Sequence, residues 1–248
     1  MAGHSKWSTI KRKKGALDAK RSKMFSKFSK EITIAVKEGG GHDPDYNSRL
    51  RIAIQNAKGV NMPKDNIERA IKRGDQDGAS FQAVSFEGYA AHGIAIFIEC
   101  LTDNNNRTVS SVRSAFNKFN GTLGTNGSLS FLFDRKGVFD FAKPENMDFD
   151  EIEMELIDAG AEEIEVEEEN VNVICSIEDF GSLSKKLEEL KIEVESAELQ
   201  RIPNDTKTLN LNEAKSVLKL IDVLEDDDDV QNVFHNMEMT DEIIEAME

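Results

Sequence analysis

The chain has 248 residues, 39% of them apolar and 31% charged, with 31 Lys/Arg against 47 Asp/Glu and a formal net charge of −16. That length points to two or three domains rather than one core, and the lack of a long apolar run excludes a helical membrane span. The basic N-terminus has no apolar segment behind it, which excludes a secretory signal, and two lone cysteines, Cys100 and Cys175, without CxxC or Cys/His clustering, exclude a disulfide framework and structural zinc and suit a reducing cytoplasm.

Residues 1–20 read as a basic arm, poorly ordered alone, with Trp7 and Ile10 as the large apolar groups between Met1 and Leu17. Lys6, Trp7 and the run Lys11-Arg12-Lys13-Lys14 place cations beside an indole, and Lys20, Arg21 and Lys23 follow. Localised positive charge attracts phosphates, and an aromatic ring can stack on an unpaired base. The arm opens a basic third: residues 1–73 hold 18 Lys/Arg against 7 Asp/Glu, whereas residues 74–248 hold 13 against 40. This asymmetry is that of a polyanion-binding segment on an acidic body.

Residues 21–75 read as a helical domain. Phe25, Phe28, Ile32 and Val36 recur at helical spacing, with Lys23, Lys27 and Lys30 on the opposite face, and Gly39-Gly40-Gly41 stops the helix. Ser48 is the expected cap of a second helix, with Leu50, Ala53, Ile54 and Ala57 inward and Arg49, Arg51 and Lys58 more exposed. Pro63 opens a third helix, with Gly74 expected just past its end.

A linker at 75–80 leads to predicted strands over 84–89 and 94–101. The apolar run Ile94–Ile98 marks the second as central. A helix over 107–119 carries Arg107 and Arg113 among surface serines, and a strand is predicted over 129–133. From residue 134 the order is strand, helix, strand, strand, helix, strand, the ferredoxin-like βαββαβ unit, closed by Pro203-Asn204-Asp205. Asn212 is the expected cap of a further helix, and a strand follows over 230–235. These last elements cannot form a domain alone. The expected fold class is therefore α+β with three domains: helical (21–75), a discontinuous middle domain (80–133 plus 206–240), and an inserted ferredoxin-like domain (134–203).

No catalytic constellation emerges. His4, His42, His92 and His235 lack metal-ligand spacing, no P-loop or GxSxG occurs, and Asp226–Asp229 lacks the Gly and Glu of an EF-hand loop. No cofactor, no metal site and no enzymatic activity are expected.

Met1-Ala2-Gly3-His4-Ser5-Lys6-Trp7, Asn61-Met62-Pro63-Lys64-Asp65-Asn66-Ile67, Leu101-Thr102-Asp103-Asn104, Gly121-Thr122-Leu123-Gly124 and Leu224–Val233 are motifs spread over the whole chain. Together they resemble the YebC/PmpR family of probable transcriptional regulators, which includes the mitochondrial translational activator of cytochrome oxidase. The resemblance implies a cytoplasmic three-domain protein that binds DNA as a transcriptional regulator. The alternative it implies is a translation factor that binds ribosomal RNA at the ribosome. On either reading the expected nucleic-acid-binding residues are those cations and Trp7, with no membrane involved. No element of the sequence sets an oligomeric state.

Overall fold

The computed structural model describes residues 18–75, 81–144, 148–167 and 169–246. The expectations placed on residues 1–17 and on the linker at 76–80 lie outside these.

α1 (Asp18–Glu38), α2 (Ser48–Gly59) and α3 (Lys64–Asp75) form the helical unit. Ile32, Ala35 and Val36 of α1 pack with Leu50, Ala53 and Ala57 of α2 and with Ile67 and Ala70 of α3, while Phe25 and Phe28 extend the same stripe. Gly40 and Gly41, both at positive φ, end the run after α1. Asn47, not Ser48, caps α2: its side-chain oxygen accepts the Leu50 N–H at 3.0 Å. Its amide nitrogen donates to Ala35 O and Gly41 O, so one buried side chain serves three backbone groups. Gly74 lies inside α3, not beyond it. A Cβ there would stand 2.7 Å from both Thr33 O and Val36 Cβ, so glycine permits the close crossing of α1 and α3.

The middle sheet has the order β3-β1-β2-β8, built from β1 (Gln82–Tyr89), β2 (Ala95–Thr102), β3 (Thr122–Leu123) and β8 (Val230–His235). Its pairs are antiparallel, with a register shift in β2 between Glu99 and Cys100. α4 (Asn105–Lys118) and α7 (Leu211–Glu225) cover one face, where Ile94, Ile96 and Ile98 meet Val112, Phe116, Val217, Leu220 and Ile221. Asn210, two residues ahead of the expected Asn212, caps α7 in a capping box with Glu213. The short α8 (Asp241–Glu245) adds Ile243 and Ile244 to this core and was not foreseen.

The strand predicted over 129–133 is absent. A 3-10 turn spans Ser130–Leu132, and Phe133 already opens the next sheet. The buried Glu87 carboxylate accepts the N–H groups of Gly127 and Leu129 at 2.7 and 2.6 Å, so these donors serve a side chain rather than a strand partner.

β4 (Phe133–Ala142), α5 (Phe149–Asp158), β5 (Ala161–Glu167), β6 (Asn170–Cys175), α6 (Phe180–Glu189) and β7 (Val194–Pro203) form the second sheet unit. Its antiparallel order β5-β6-β4-β7 is ferredoxin-like, with Phe139, Phe141, Val171, Val173, Ile152, Leu156, Leu183 and Leu187 in its core. The fold is thus α+β: a helical domain, a middle domain from two stretches of chain, and an inserted ferredoxin-like domain.

The three parts meet through β7. Asn56 of α2 donates to Ala197 O at 2.8 Å and accepts the Ala197 N–H at 2.9 Å, pairing the edge of β7 as another strand would. Gly59 makes this approach possible, since a Cβ there would stand 2.1 Å from Glu195 O. On the other side, Arg201 of β7 stacks 3.8 Å above the Phe97 ring and pairs with Glu99 at 2.9 Å. Phe133 packs edge-to-face on Phe97. β2 is therefore buried on both faces, as its apolar run suggests.

Candidate nucleic-acid interface

Lys23, Lys27 and Lys30 stand one helical turn apart on α1, and their ammonium groups meet the end of α7 and the acidic turn after it. Lys23 Nζ pairs with Asp226 Oδ1 at 2.8 Å, Lys27 Nζ donates to Glu225 O at 3.0 Å, and Lys30 Nζ donates to Asp228 O at 2.7 Å and Asp229 Oδ1 at 3.1 Å. The last carbonyls of a helix have no partner within it and carry the negative end of its dipole, so cations are favoured there. These three ammonium groups, expected on an open face, are engaged by the protein's own acidic turn, with Lys23 still 42% exposed.

Asp229 is the centre of that turn. Its Oδ2 accepts from Arg107 Nη2 at 2.6 Å, Thr108 Oγ1 at 2.9 Å and Thr102 Oγ1 at 3.1 Å, while Oδ1 faces Lys30. Burial pushes this carboxyl up, but the hydrogen bonds from Arg107, Lys30 and Thr108 outweigh burial and hold it at about 2. Arg107 also pairs with Asp103 at 2.9 Å. Its guanidinium, 54% exposed, thus ties α4 to the acidic turn that precedes β8. The Asp226–Asp229 run, unexplained by any cation motif, is a clamp between the helical and middle domains.

The other cations of the helical domain are differently placed. Lys20 lies in the first turn of α1, and Arg21 sits 5.7 Å from the Phe25 ring centroid. Arg49 pairs with Glu38. Arg51 and Lys58, seven residues apart on α2, are exposed on one side of that helix, away from its contacts with α1 and β7. α3 adds exposed Lys64, Arg69, Lys72 and Arg73, which the sequence reading missed. Their signal was present in the helix that Pro63 opens, which carries four cations in 12 residues. Acidic Asp65, Glu68 and Asp75 stand among them. Lys6, Trp7, Lys11, Arg12, Lys13 and Lys14 lie outside the described residues.

On α4 the helix sides diverge. Arg107, Thr108 and Ser111 bind Asp229 and Asp227. Asn106, Val109, Ser110, Arg113, Ser114 and Asn117 line a shallow open depression on the outer side. Among the described residues no three His, Cys, Asp or Glu side chains converge as metal ligands. Cys100 in β2 and Cys175 in β6 are buried in different sheets, and burial pushes both thiols up to about 12. One carboxyl departs the other way from Asp229. Glu31, half-buried on α1, is raised to about 8, by burial first and then by Glu198 and Glu99, against the lowering effect of Lys27 and Arg49.

Comparison with known proteins bears on this arrangement. Residues 5–77 match the TACO1/YebC protein N-terminal domain, and residues 81–237 match the TACO1/YebC second and third domain. A probable transcriptional regulatory protein of Amoebophilus asiaticus is 54% identical over 96% of this chain and 98% of its own. One of Geotalea uraniireducens is 49% identical over the whole of both chains. The crystal structure of a conserved hypothetical protein from Aquifex aeolicus matches with a TM-score of 0.80 at 40% identity, covering 92% of this chain and 94% of that one.

Proposed function

The chain belongs to the TACO1/YebC family, and from that premise we propose that it is a transcriptional regulator that binds DNA and acts by binding, not by catalysis. The single observation carrying this reading is the distribution of charge: 18 Lys/Arg against 7 Asp/Glu in residues 1–73, and 22 Asp/Glu against 7 Lys/Arg in residues 134–203. A polyanion is drawn to the first region and repelled by the second, which orients it. With the α1 lysines held by the acidic turn, binding falls to the arm cations Lys6, Lys11, Arg12, Lys13, Lys14 and Lys20, with Trp7, and to exposed Arg51 and Lys58. The reduced, buried thiols suit a cytoplasmic protein, and among the described residues no helix is long and apolar enough to cross a membrane.

A second reading, ribosomal RNA in place of duplex DNA, draws support from α3. A helix that reads a major groove presents base-contacting side chains to a wall of phosphates, and Asp65 and Glu68 on the exposed side of α3 oppose that approach. Fluorescence anisotropy with duplex DNA and with single-stranded RNA at matched salt tests both readings. Tighter binding to duplex supports the first, tighter binding to RNA the second, and binding to neither defeats the proposal.

A further inference from the structure

α4 contains Arg107, Arg113 and Lys118 and no acidic residue, although residues 74–248 as a whole hold 40 Asp/Glu against 13 Lys/Arg. Its structural side is fully engaged through Arg107, Thr108 and Ser111. Its outer side is not. Asn106, Ser110, Arg113, Ser114 and Asn117 are exposed, and none makes a side-chain hydrogen bond or ion pair among the described residues. Residues 106, 110, 113 and 117 follow the three-and-four spacing of one helix face, so they form a continuous stripe about 16 Å long.

We infer that this stripe is a second nucleic-acid contact, separate from the N-terminal arm, and that its occupant is a single strand of RNA. The guanidinium of Arg113 offers a planar fork to one phosphate. The four neighbours are hydroxyls and carboxamides, which both donate and accept hydrogen bonds. Such groups donate to the phosphates of either nucleic acid, but their accepting oxygens find a backbone donor only where the sugar is ribose. A ribose 2′-OH donates and accepts, and is matched by Ser110, Ser114, Asn106 and Asn117. The inference rests on the RNA reading given above and names a second surface for it.

The test uses the full chain and two probes that differ only in the 2′-OH, oligouridylate and oligodeoxyuridylate, in anisotropy titrations at one salt concentration. The intact protein binds oligouridylate more tightly. Arg113→Glu weakens both probes by about tenfold, and Ser110→Ala with Ser114→Ala narrows the difference between them. Replacing Lys11, Arg12, Lys13 and Lys14 by Ala weakens both probes but keeps their difference. All the α4 positions are exposed, and circular dichroism checks that the variants keep the fold. Intact-level binding of oligouridylate by both α4 variants overturns the inference while the RNA reading stands. An intact protein that does not bind oligouridylate overturns the RNA reading, and the inference with it.

Discussion

The Asp229 carboxylate is held by Lys30, Arg107, Thr102 and Thr108 while only 4% exposed. Removing its charge leaves two cations facing a buried amide, so Asp229→Asn is expected to cost about 3 kcal/mol in urea unfolding. Because folding lowers its pKa, from 3.8 to about 2, its contribution is present above about pH 4 and is lost as pH falls through about 2. An acid titration of stability should lose about 2 kcal/mol across that window, and the loss should vanish in Asp229→Asn. Glu31 has the opposite sign. Its folded pKa is raised, from 4.5 to about 8, so its favourable contribution is full below about pH 4.5 and is lost as pH rises to about 8. Glu31→Gln should therefore raise the melting temperature at pH 8 and leave it nearly unchanged at pH 4. A higher gain at pH 4 than at pH 8 would contradict the placement of Glu31 beside Glu198 and Glu99. The thiols make a third case: Cys100 and Cys175 should label in the native protein far more slowly than a free thiol, since burial disfavours the thiolate at both.

At the scale of elements, contacts between distant stretches of chain decide what each helix can do. α2 closes the edge of β7 through Asn56, so Asn56→Ala leaves the Ala197 N–H and C=O without partners and should destabilise by about 2 kcal/mol. Retention of full stability would mean that water replaces the pair. Much of this level was legible in sequence. Helical spacing gave the core stripe of α1, and the apolar run of β2 gave a strand buried on both faces. What escaped was long-range. Lys23, Lys27 and Lys30 have the spacing of a surface row, and nothing local says that α7 ends against them, some two hundred residues later. The missing strand at 129–133 has the same origin, since Glu87 lies forty residues from the N–H groups it accepts. Arg113 and Arg107 share a helix, similar sequence surroundings and exposure, and the position of Asp229 is what gives Arg107 an ion pair that Arg113 lacks among the described residues.

For the whole molecule, the acidic turn joins the helical domain to the middle domain and β7 joins both to the ferredoxin-like domain, so the cations left exposed sit on a frame rather than on separate units. The order of elements revealed the inserted domain, because βαββαβ is recognisable from strand and helix order alone and its flanks need each other's sheet. The candidate interface was legible only as a region of charge, since which lysines are free is a property of the folded chain. We propose that the basic N-terminal segment binds nucleic acid electrostatically. The salt dependence of affinity tests it most directly, measured for the intact chain and for the variant with Lys11, Arg12, Lys13 and Lys14 all changed to Ala. The intact chain should show a slope of log affinity against log salt several units negative, and the variant should flatten it by about three to four units while weakening binding to many sequences alike. An unchanged slope in the variant would contradict the claim.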